Sequence, residues 1–112
     1  MATFISLITF TDQGIRHISK TTERAEVFND FTKRVGEDFH NVVYWAVERH
    51  DVVVKNIYWT HGLYDGIIIL EAPDAETAMS VFLHLDSLGN VRTHSFQAFS
   101  KEEMGGILAK FE

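Results

Sequence analysis

The 112-residue chain contains no cysteine, which excludes disulfides, thiolate catalysis and every cysteine-ligated zinc or iron–sulfur site. No apolar run approaches the ~18 residues that suggest a membrane-spanning helix, so no membrane association is expected. Met1-Ala2-Thr3 lacks the basic stretch that opens a signal peptide, and a cytoplasmic protein is the expectation. Positive charge is also scarce. Ten Lys and Arg stand against 16 Asp and Glu, a formal net charge of -6. Such a surface repels a phosphate backbone, and nucleic acid is not an expected partner. What is present is ordinary, with 46% hydrophobic and 23% charged residues. The length suits one hydrophobic core and one domain over residues 1–112.

Residues 3–10 are β-branched and aromatic, the composition of a strand. Phe4, Ile8 and Phe10 fall on one face and Ile5 and Leu7 on the other, so both faces are expected to be covered. Thr11-Asp12-Gln13-Gly14 reads as a turn. A helical pattern follows, capped by Thr21 or Thr22, with Glu23 in its first turn. Phe28, Phe31, Val35, Phe39, Val42 and Ala46 recur at three- and four-residue spacing through about residue 49. A continuous helix of that extent is ~42 Å long, more than a domain of this size covers. Either it breaks near Gly36 or its second half overhangs and packs on another subunit. The added apolar surface of Val43, Tyr44 and Trp45 favours the overhang.

Residues 52–60 and 66–72 read as two further strands. The chain's single proline, Pro73, and Asp74 then mark a stop, with Asp74 as N-cap of a helix. Ala78, Val81, Phe82 and Leu85 form that helix's inner face, and Gly89 ends it. Residues 91–99 form a last strand. Ser100-Lys101-Glu102-Glu103 is a capping box for a C-terminal helix, weakened by Gly105-Gly106. The order β-α-β-β-α-β plus a tail helix predicts an α+β, ferredoxin-like fold with an antiparallel four-stranded sheet in the order 4-1-3-2. Both helices lie on one sheet face. The other face is apolar too, so a homodimer or a higher even-numbered homo-oligomer is expected.

In this topology the end of the first strand, the turn at residues 61–65 and the start of the last strand share one sheet edge. That brings Asp12, His61, Tyr64, Asp65, Asn90 and Arg92 toward one place, with His94 next along the last strand. Convergent polar groups of this kind are the default binding-site hypothesis. The turn Leu63-Tyr64-Asp65 carries more chemistry than a hairpin tip needs.

The stretches Thr9-Phe10-Thr11-Asp12-Gln13-Gly14-Ile15, Tyr58-Trp59-Thr60-His61-Gly62-Leu63-Tyr64-Asp65, Glu71-Ala72-Pro73-Asp74 and Ser87-Leu88-Gly89-Asn90-Val91-Arg92-Thr93 resemble the GYD domain proteins. The chain departs from the family's Gly-Tyr-Asp at Leu63, and its stretch between about Gly36 and Asp51 is longer than usual. The resemblance implies a dimeric α/β-barrel type of domain. That group includes monooxygenases, isomerases, haem enzymes and ligand-sensing modules, and the resemblance implies no particular activity.

Each candidate has a structural reading beside the chemical one. Asp65 is a general base in an apolar pocket, or it anchors its turn or pairs with Arg92. Tyr64 donates its hydroxyl to a ligand, or it is a half-buried ring with a wet tip. Arg92 clamps a carboxylate bidentately, or it bridges to Asp12 or Asp65. The histidines His17, His40, His50, His61, His84 and His94 show no H-x-x-x-H spacing, so neither a metal nor another cofactor is expected. By analogy with the group alone, a haem would fall to His94 or His61. Two functions follow. The preferred one is a binding module holding a small organic ligand near Tyr64, Asp65 and Arg92. The alternative is a cofactor-independent enzyme, monooxygenase- or isomerase-like, on an aromatic or enol-type substrate. There Asp65 or His94 moves the proton and Arg92 holds the oxyanion.

Overall fold

The computed structural model describes residues 1–16, 47, 48 and 50–111. The expected long first helix, with its expected break or overhang near Gly36, Tyr44 and Trp45, and the residues His17 and His40 lie outside the described residues.

Strand β1 (Ala2–Phe10) runs down the middle of a four-stranded sheet in the order β2-β3-β1-β4, with β2 (Val53–Trp59), β3 (Gly66–Ala72) and β4 (Val91–Ala98). Every neighbouring pair is antiparallel. This is the expected α+β, ferredoxin-like sheet. The even positions of β1 face the core: Phe4 pairs with Leu70, Ser6 with Ile68 and Ile8 with Gly66. Helix α2 (Ala75–Ser87) lies over them, burying Ala78, Val81, Phe82 and Leu85 against Phe4, Ile8, Ile68 and Leu70. Each large side chain so buried is worth about 1.5–3 kcal/mol relative to exposure. Ser6, fully buried among them, accepts a hydrogen bond from the Ser95 hydroxyl at 2.9 Å.

The caps of α2 are local and strong. Asp74 Oδ1 accepts from Thr77 N at 2.7 Å, and these bonds hold the Asp74 carboxyl below the usual carboxylate range. At the other end Gly89 takes φ +84°, where a side chain is strained. Asp86 then ties the helix to β4, accepting from Thr93 N at 2.7 Å and Thr93 Oγ1 at 3.1 Å.

The expected turn at 11–14 is instead the start of helix α1 (Asp12–Arg16). Thr11 caps it, its Oγ1 accepting from Gly14 N at 3.1 Å and its carbonyl from Ile15 N at 2.9 Å. A threonine cap plus one intrahelical bond outweighs the turn preference of Asp-Gln-Gly. Strand β2 shifts register between Val54 and Asn56. Beyond this irregularity Asn56 and Tyr58 pair with Ile69 and Ile67 on the face away from α2. That face, open among the described residues, also carries Ile5 and Leu7, half-buried, and Arg92 and His94, exposed. Helix α3 (Lys101–Phe111) has the expected capping box: Ser100 N donates to Glu103 Oε1 at 2.9 Å and Glu103 N to Ser100 Oγ at 3.1 Å. None of its residues is buried.

Candidate functional site

The sheet edge beyond β1 is built by backbone geometry first. Ile8 sits opposite both Gly66 and Thr93, and Phe10 opposite Val91, so the ends of three strands coincide. The hairpin between β2 and β3 closes onto this point. Thr60 N donates to Asp65 O at 2.9 Å, Thr60 Oγ1 to Tyr64 O at 2.6 Å, and Asp65 N to Ile8 O at 2.7 Å. Asp65 Oδ2 then accepts from Phe10 N at 2.8 Å. Its carboxylate therefore satisfies the amide where β1 leaves the ladder. Among the described residues, neither Asp12 nor Asp65 forms an ion pair with Arg92.

Tyr64 swings toward β4 and meets His94 edge-on, with ring centroids 5.8 Å apart and planes at 63°. The Thr9 hydroxyl lies 3.4 Å from His94 Nε2, a long contact between neighbouring strands. Arg92 pairs with Thr9 in register and is exposed. Tyr64, His94, Thr9 and Arg92 thus occupy the open-face side of the edge. His61 and Leu63 project at the hairpin tip, where a Cβ added to Gly62 would meet no other atom within 4 Å.

Asn90 and Asp12 belong to a second group. The Thr11 amide donates to the Asn90 carbonyl at 3.1 Å, and the Thr11 hydroxyl donates to Gly89 O at 2.5 Å. Gln13 Nε2 reaches Leu88 O at 3.2 Å and Asn90 Oδ1 at 3.1 Å. Gly14 lies directly on the Asn90 carbonyl, and any Cβ there would overlap it. The two segments form a clasp, with Asp12 exposed in the first turn of α1. Thr11, Gln13, Gly14 and Gly89, read from the sequence as a turn and a helix end, are the members of this clasp that sequence reasoning left out of the site. Their signal was the glycine in each of the two segments, one needed for close approach and one for positive φ.

An apolar groove of about 400 Å³ lies elsewhere, between α2 and β4. None of the seven candidate residues lines it. Among the described residues no group of three His, Asp or Glu is placed to hold a metal ion, and no helix is long and apolar enough to cross a membrane.

A family model for the GYD domain matches residues 33–108. The sequence is 36% identical over 98 residues, 88% of each chain, to a Thermus thermophilus protein named "Glutamine synthetase and cystathionine beta-lyase binding protein". No solved structure matches significantly.

Proposed function

The chain belongs to the GYD domain family, and on that premise we propose that it is a non-enzymatic binding module whose partners are proteins. The contact region is the sheet edge carrying Asp12, His61, Tyr64, Asp65, Asn90, Arg92 and His94. One observation carries this reading: the edge presents its apolar groups outward, with Leu63 84% and Trp59 46% exposed, while Asp65 and Asn90 are engaged inside the fold. Exposed apolar anchors on a hairpin fixed by hydrogen bonds suit a protein surface. The relative's name supplies the partner class, metabolic enzymes such as glutamine synthetase and cystathionine β-lyase.

The same reading includes one domain over 1–112 and a cytoplasmic location; it also includes a homodimer or higher even-numbered assembly, which half-buried Ile5, Leu7, Ile67 and Ile69 on the sheet face away from α2 support. A small organic ligand at this edge is the second reading, favoured by the Tyr64–His94 contact beside Arg92. The enzyme alternative finds less support, because one oxygen of the Asp65 carboxylate is already committed to the Phe10 amide.

Titration calorimetry of the purified chain against each purified enzyme from its own organism tests the proposal. Leu63→Asp should raise Kd by roughly 10–100-fold, the equivalent of one lost apolar anchor. Absence of binding to both enzymes by the unsubstituted chain rejects these partners. Native mass spectrometry of protein purified without additives tests the small-ligand reading separately, through a co-purifying mass.

A further inference from the structure

Helix α3 presents a problem of stability on its own. It has only 11 residues, below the ~12–15 at which an isolated helix is more than marginal in water. Gly105 and Gly106 each cost it about 1 kcal/mol relative to alanine. None of its residues is buried, so packing within its own subunit does not offset this. Yet Met104, Ile107, Leu108 and Phe111 form a regular stripe at three- and four-residue spacing, with Phe111 89% exposed.

The groove between α2 and the edge strand β4 has the matching properties. Its α2 wall carries Met79, Phe82 and Leu83, of which Met79 and Leu83 are more than half exposed. It runs from Ala75 to Asp86, a rise of ~16 Å at 1.5 Å per residue, which is also the length of α3. Charge favours an antiparallel fit. Lys110 at the end of α3 then meets Glu76 at the start of α2, and antiparallel packing opposes the two helix dipoles.

We propose that α3 of one copy docks antiparallel into the α2–β4 groove of a second copy, and reciprocally. A two-fold exchange uses two stripes and two grooves, which brings the buried area toward the ~1,200–2,000 Å² of a standard stable interface. The inference goes beyond the protein-partner reading and does not depend on it.

The cysteine-free chain makes the test direct. Antiparallel docking places Leu83 of one copy beside Met104 of the other. Chains carrying Leu83→Cys alone and Met104→Cys alone are co-expressed with distinguishable tags and oxidised. The expected product is a mixed disulfide dimer in at least tenfold excess over the one formed when Leu63→Cys replaces Leu83→Cys as a control. A mixed dimer no more abundant than the control overturns the proposal, including the case in which α3 folds onto its own groove. Paired Ile107→Glu and Leu108→Glu substitutions, both at exposed positions, should raise the dissociation concentration in sedimentation equilibrium at least tenfold. An unchanged value also overturns the proposal.

Discussion

Asp65 shows how a residue with catalytic chemistry is used for architecture. Its backbone bonds Ile8 and Thr60, and its side chain covers the Phe10 amide. Asp65→Ala would leave that amide without a partner at a part-buried position, and should destabilise the fold by about 1–3 kcal/mol. Asp65→Asn keeps a carbonyl acceptor and should recover most of the loss. Urea unfolding of the two variants measures the difference, and equal losses would show that the Phe10 bond contributes little. The sequence marked Tyr64, Asp65 and Asn90 as a group because topology brought them to one edge. It did not reveal that Asp65 serves β1 and Asn90 serves Gln13, since those bonds join residues 55 and 77 positions apart.

At the scale of elements, local signals were legible and long-range ones were not. The caps at Asp74 and at Ser100–Glu103 were readable because each is completed within three residues. Thr11 was missed as a cap because a turn and a first helical turn use the same residues. The Asp74 cap has a pH consequence. Its folded-state pKa is depressed, chiefly by the bonds to Thr77, so its contribution is fully present above the unfolded carboxylate pKa. It is lost as pH falls through the lower folded value. Asp74→Asn retains an acceptor for Thr77 but should remove this part of the acid dependence. Thermal melts between pH 7 and strongly acidic buffer check it, and an unaltered pH profile would show that other groups dominate.

For the whole molecule, the decisive property is that the sheet face away from α2 carries half-buried Ile5, Leu7, Ile67 and Ile69 on its central strands, with no described helix shown packed over them. Ile69 lies on the open face, half-buried, opposite Ile5. If a second copy covers it, Ile69→Lys removes an apolar contact worth about 1.5–3 kcal/mol from each subunit. Dissociation should then rise at least tenfold in sedimentation equilibrium, with an unchanged circular dichroism spectrum. A monomer at all concentrations before substitution would reject the assembly. Alternation along β1 announced this face in the sequence, because a central strand with polar residues on one side would need no second cover.

By itself the sequence determined the order of the four strands, helix α2 between the last two of them, the α2 and α3 caps and the antiparallel sheet. These depend on periodicity and on signals confined to a few neighbouring residues. Tertiary structure alone decided which polar groups at the sheet edge hold the fold and which remain on its surface. It also decided that α3 stands clear of its own core, and that a groove of matching length opens between α2 and β4. Hydrogen-bond partners and exposed faces are set by atoms far apart in the chain, and no local pattern encodes them.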